Sequence, residues 1–174
     1  VDSYSSSIPV EFIAGGEGLV RDVNKGLKVC TADIIIRVDD DVVADKNWLL
    51  EVVNTFNLSE DIGGVTGPAI IPQENLTSRD QRIFLSKITE GKSILWRLVG
   101  MVYLNYLMEG RAQEVEKIFR SGVSSLGSGF YRCLKIDRLI EVDCLASCNL
   151  CLRRALVDKV GGFDEKYNRG TAAY

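Results

Sequence analysis

The stretch IIIRVDDDVV, Ile34 to Val43, runs an apolar, β-branched segment straight into three consecutive aspartates. Its composition and the turn residues before it read as a buried strand. Upstream, IPVEFI at 8–13 is also short and apolar and reads as a second strand. Between them, GGEGLVRDVNKGLKVCTA at 15–32 opens with glycine punctuation. It then places Leu19, Val20, Val23, Leu27 and Cys30 at helical spacing. Strand, helix and strand in about thirty residues make one βαβ unit, whose right-handed crossover joins parallel strands. The expected class is therefore α/β, with a mostly parallel central sheet flanked by helices.

Asp39, Asp40 and Asp41 then stand at the carboxyl end of a predicted parallel strand, the edge where open α/β sheets bind ligands. Adjacent carboxylates repel one another unless a cation sits among them. Mg²⁺ or Mn²⁺ suits the position, because these ions keep few protein ligands and share themselves with a diphosphate. Such a charge removes the repulsion that would raise the carboxylate pKa values. The competing reading is a solvated acidic turn. An EF-hand is excluded, since Val43 and Ala44 stand where that loop needs an oxygen ligand and its turn-making glycine. The metal reading requires Asp39 and Asp41 to face a cleft, and their strand to be paired on both sides.

Composition bounds the rest. The 174 residues suffice for one domain with a substantial core, and 46% apolar with 26% charged residues is a globular balance. A net charge of −3, with no basic run, argues against nucleic-acid binding. The chain has no histidine, which removes Ser-His and Cys-His catalysis and the commonest zinc ligand. Five cysteines, at 30, 133, 144, 148 and 151, form no regular disulfide pattern, so a reducing, cytoplasmic setting is expected. Cys133, Cys144, Cys148 and Cys151 could supply four thiolates to zinc; packed thiols are the simpler reading.

Further along, ADKNWLLEVVNTF predicts a helix with Trp48, Leu49, Val52, Val53 and Phe56 on one stripe and Asp45 as its N-cap. IGGVTGPAIIP reads as a strand. Residues 76–121 read as helical throughout, RAQEVEKIF included. LIEVDCLAS reads as a strand, and LRRALVDKV as a helix closed by Gly161 and Gly162. Ile94 to Met108 has only Arg97 and Asn105 as strongly polar positions and is too short to span a membrane. It is a buried helix, or one lying on a membrane surface or lining a site for a lipid-like acceptor.

Two blocks carry a family resemblance. GGEGLVRDVNKGLKVCTADIIIRVDDDVVADKNWLLEVV resembles the nucleotide-sugar-binding half of family 2 glycosyltransferases of the GT-A fold. It has the Gly loop, the Asn-x-Gly helix (Asn24-Lys25-Gly26), the strand and the Asp-x-Asp motif. EVDCLASCNLCLRRALVDKVGGFDEKY resembles the second block, which ends in Gly-Gly-Phe-Asp-Glu. The resemblance covers 8–57 and 139–167, and 76–121 is expected to be a variable helical insert in a single domain over 1–174. It implies inverting transfer of a sugar from a nucleoside-diphosphate sugar to an acceptor hydroxyl, assisted by Mn²⁺ or Mg²⁺. The acceptor class stays open between lipid-linked and polysaccharide, with peripheral membrane contact through Ile94 to Met108 and a place at the cytoplasmic face of a membrane among the readings.

Carried over by motif, the metal ligands are Asp41 and Asp39, with Asp39 also able to contact the ribose and Asp40 beside it. Asp2 would lie near the base or ribose. Ser147, Cys148 and Asn149 would form the donor-sugar side. Arg21 reaches a phosphate or base edge, or forms a helix-surface ion pair. Asn24 serves the ligand or the local helix geometry. The family's first strand is missing, and its catalytic acidic pair would follow Tyr174, so Asp164 and Glu165 are read as shaping a turn. Two other functions stay open. DDDVV also satisfies the Asp-x-Asp-x-Val motif of haloacid-dehalogenase-like, Mg²⁺-dependent phosphatases, and the domain could bind a nucleotide sugar or a partner protein without turnover.

Overall fold

The computed structural model describes residues 9–70, 84, 87–88, 92–112, 114–125 and 136–167. The chain divides into two compact units, one of residues 1–35 with 152–174 and the other of residues 36–151.

The sheet has three strands, β1 (Ile34–Val38), β2 (Gly64–Val65) and β3 (Asn149–Arg153), in the order β1–β3–β2. Among the described residues it is antiparallel, so the mixed α/β class is seen and the parallel central sheet expected from the sequence is not confirmed. The cause is visible at the first predicted strand. Residues 9–13 of IPVEFI are extended coil, with Val10, Phe12 and Ile13 exposed, so the βαβ unit has no first strand among the described residues. An apolar run becomes a strand only when a neighbour takes its backbone hydrogen bonds. The neighbour of β1 is instead β3, a strand from late in the chain. The predicted strand LIEVDCLAS is not one either. Pairing begins just past it, at Asn149.

In the first unit, helix α1 (Leu19–Val29) forms as expected from its apolar spacing. Helix α4 (Arg154–Val160) starts after β3 and ends as predicted at Gly161. That glycine has φ 87°, and its N–H donates to the Val157 carbonyl at 2.8 Å. A left-handed residue is the ordinary helix stop, and glycine occupies it without strain.

In the second unit, helix α2 (Trp48–Phe56) packs on β2 and buries Val52 and Phe56. Asp45 is not its N-cap. Asn47 holds that place, and the Asp45 carboxylate accepts from the Asn47 N–H at 2.8 Å in the turn before it. The predicted strand at 62–72 shrinks to the two residues of β2, and only its part up to Ile70 is described. Helix α3 (Ile94–Met101) continues into a wider π-helical turn, Val102–Leu107. Ile88, Met108 and Phe119 form a core with Trp96, Val99, Tyr103 and Leu104 against it. Gly100 lets α3 come close: a Cβ there would collide with the Ile88 carbonyl.

RAQEVEKIF, predicted helical, is not a helix in its described residues. Glu109 (φ 52°) and Gly110 (φ 70°) end the preceding helix in the left-handed region, and Glu116 (φ 52°) turns the chain again. The Glu116 carbonyl accepts from the Asp143 N–H at 2.8 Å, and Ile118 bridges to Ser124. Tertiary hydrogen bonding has overridden a strong local propensity.

Candidate functional site

The alternation of a strand puts Ile35, Arg37 and Asp39 on one face of β1 and its extension. Ile35 is buried and anchors that face. Arg37 then donates to an Asp39 carboxylate oxygen at 2.9 Å and to the Ser147 carbonyl. The cation beside the first aspartate is thus a guanidinium supplied by the strand itself. Asp39 is half-buried, while Asp40 and Asp41 are exposed in the turn that follows, which closes through Val42 N–H to the Asp39 carbonyl at 3.3 Å. Arg37 was missed as a site residue, although its place two before Asp39 on a strand is a legible signal.

Of the residues expected on the donor-sugar side, Ser147 meets Arg37 through its carbonyl, and Cys148 lies close enough to Asp39 to feel its charge. Burial, first, and the Asp39 carboxylate push the Cys148 thiol upward. Asn149 is buried and bonded within the second unit. Its side-chain oxygen accepts from the Trp48 indole N–H at 3.1 Å, and its carbonyl accepts from the Thr66 hydroxyl at 2.8 Å. Its amide nitrogen limits Gly67, where an added Cβ would lie at 3.3 Å. The structure therefore brings Asp39, Ser147 and Cys148 together around Arg37, and gives Asn149 a packing task.

In the first unit, Arg21 pairs with Glu165 at 3.3 Å, the ion-pair alternative of its two readings. Asn24 is buried. Its amide donates to the Phe163 carbonyl and its oxygen accepts from the Phe163 N–H, both at 2.9 Å. It fastens α1 to the Gly-Gly-Phe-Asp-Glu turn. Asp164 accepts from the Lys166 N–H at 2.9 Å, so both acidic residues of that block are engaged locally. Asp2 and Cys133 lie outside the described residues.

Cys144 and Cys151 behave as packed thiols. Cys144 donates to the Glu116 carboxylate at 3.2 Å, and burial with that carboxylate pushes its thiol up to about 12. Burial alone raises the Cys151 thiol to about 11. Neighbouring Asp143 is held below the usual carboxylate range by the Ile118 N–H and by Lys117, at 3.0 Å each.

Among the described residues, one cavity of about 350 Å³ lies in the first unit beside Asn24, Lys28 and Arg154, and another of about 400 Å³ in the second beside Lys117 and Arg138. Neither includes the aspartate triplet. β1 is paired on one side only among the described residues, so the pairing requirement set by the metal reading is not met by these elements. Nor do three or more His, Cys, Asp or Glu side chains converge into a metal cluster among the described residues. The donor chemistry nonetheless fits a hard cation that draws its remaining ligands from phosphates and water, for which one or two carboxylates suffice.

The decision comes from comparison with known proteins. The model for glycosyl transferase family 2 matches residues 2–125. The chain belongs to that family. No curated protein and no solved structure matches it. Membership implies the GT-A fold, a nucleotide-sugar donor and glycosyltransferase activity, and it leaves the phosphatase reading without support. The match runs through the middle of the chain, where the resemblance covered hardly any residues, and ends before the second block at 139–167.

Proposed function

We propose that this domain is an inverting glycosyltransferase that moves a sugar from a nucleoside diphosphate to an acceptor hydroxyl with the help of Mn²⁺ or Mg²⁺. The observation that carries the reading is the family match across the strand that ends in Asp39-Asp40-Asp41. Asp41, exposed, and the Asp39 oxygen not facing Arg37 are the groups that would hold the ion. When bound, such an ion neutralises charge growing on the departing diphosphate.

This chain's own residues do the positioning. Arg37 fixes Asp39 and ties it to the Ser147 loop, so the strand end and the loop before β3 move as one. Asp40 and Asp2 complete the nucleotide side. Ser147 and Cys148 present small groups that let a sugar ring approach the backbone. Arg21 and Asn24 tie α1 to the turn at 163–165, and Asn149 is bonded to Trp48 and Thr66, instead of touching the donor. The acceptor is lipid-linked or a polysaccharide.

The test is calorimetric titration of nucleoside diphosphates into this chain with Mn²⁺ or Mg²⁺. Metal-dependent binding that Asp41→Asn weakens at least tenfold supports the donor site, and no binding with either ion overturns it. An anomeric assignment of the product by NMR decides inversion.

A further inference from the structure

A helix that is apolar on every side belongs inside a protein. Helix α3 and the turn after it are apolar nearly all round, yet only half is covered. Trp96, Val99, Tyr103 and Leu104 pack against Ile88, Met108 and Phe119. On the other side, Ile94, Leu95, Leu98, Met101, Val102 and Tyr106 are each more than half exposed. Five of these are large aliphatic side chains, and together they make a continuous face along the helix.

The charges carried by the helix and its turn themselves are of one sign. Between Gly91 and Met108 the charged residues are Lys92 and Arg97, both basic and both exposed. Lys87 has its ammonium 5.8 Å from the ring centroid of Trp96, on the side packed against the core, and Glu109, exposed just past the turn, is paired with Arg111. The chain as a whole carries −3, so Lys92 and Arg97 run against the molecule's overall charge. A second copy of a net-negative chain would bring the same cations face to face. An anionic lipid surface accepts both features, burying the apolar side chains among acyl chains and pairing the cations with headgroups. Among the described residues no helix is long and apolar enough to cross a membrane, so the geometry is that of a helix lying in the interface.

We propose that the outer face of α3 and its π-helical turn is a docking surface for an anionic membrane. The surface stands on its own residues and does not depend on the donor-site reading. It would hold the domain where a lipid-linked acceptor is presented.

The experiment is co-sedimentation of the full chain with vesicles of phosphatidylcholine alone and of phosphatidylcholine mixed with phosphatidylglycerol. The expected result is binding to the mixed vesicles, weakened by added salt. L98E with M101E, both at exposed positions, should abolish it while circular dichroism and thermal unfolding stay unchanged. K92E with R97E should reduce it about thirtyfold, from roughly 1 kcal/mol for each of the two basic residues near such a surface. Binding to neither vesicle overturns the proposal, as does binding that L98E with M101E leaves intact. A dimer seen by light scattering and lost in the same double variant also overturns it, because a second copy would then own the face. Nucleoside diphosphate titration of the double variant separates the two claims: membrane binding lost with nucleotide binding kept supports this surface alone.

Discussion

Arg37 is the residue on which the aspartate triplet turns. It serves two oxygens on different segments, the Asp39 carboxylate and the Ser147 carbonyl, and is itself only 23% exposed. Arg37→Met keeps the stem and removes the fork. The loss of one charge-assisted bond and one half-exposed ion pair should cost about 1–2 kcal/mol, read from the urea midpoint. The same change should weaken metal-dependent nucleotide binding, since Asp39 loses its fixed orientation. Asn24 gives the contrasting case. Its two bonds to Phe163 are partly buried, and Asn24→Ala leaves both a donor and an acceptor without that partner, for about 1–2 kcal/mol. If Asn24 touched the donor instead, the variant would lose binding at unchanged stability. Of these two residues, the first was legible: Arg at a strand position two before Asp shares its face. The second was not, because its partner lies 139 residues away and nothing local points there.

At the scale of elements, sequence patterns succeeded where an element carries its own period and stop signal. Helix α1 has its apolar spacing, and α4 has Gly161. Both formed where expected. Patterns failed where an element needs a partner from elsewhere. IPVEFI has strand composition and, among the described residues, no strand beside it, and RAQEVEKIF has helical periodicity but is drawn into turns by bonds from Glu116 and Lys117 to residues 143, 144 and 125. The expected parallel pairing is not confirmed among the described residues, since the sequence order of β1 and β3 says nothing about which will pair. Two glycines on helices allow the packing argument to be checked. Gly100→Ala puts a methyl into the Ile88 carbonyl, and backbone must shift; a loss of about 1–3 kcal/mol is expected. Gly26→Ala, within α1, meets nothing within 4 Å and should gain about 0.5–1 kcal/mol from helix propensity. Thermal unfolding of both variants in parallel should move in opposite directions, and a common direction would sink the account of α3 packing.

For the whole molecule, the absence of histidine and the state of the thiols set how stability follows pH. No side chain of ordinary pKa titrates between about pH 6 and 8 in a chain without histidine, so stability should be flat there. The alkaline side is different. Cys144 and Cys151 hold their protons in the folded state up to about 12 and about 11, while the unfolded thiols release theirs near 9. Above that value the folded state binds more protons than the unfolded one, so stability falls as pH rises. The contribution is fully present below pH 9 and is lost progressively as pH climbs toward the folded values. Lys25 acts in the same direction: its pKa is raised by Glu17 at 2.7 Å, and that stabilisation also disappears as the ammonium deprotonates. Cys144→Ser isolates the thiol effect, because serine keeps a donor for the Glu116 carboxylate and does not ionise in this range. Urea midpoints measured from pH 7 to 10.5 should hold level and then decline from about pH 9, and the decline should be shallower in Cys144→Ser combined with Cys151→Ala. An equal slope in the variant would show that the buried thiols are not what ties this fold to neutral pH, and would move the cause to Lys25 and its neighbours.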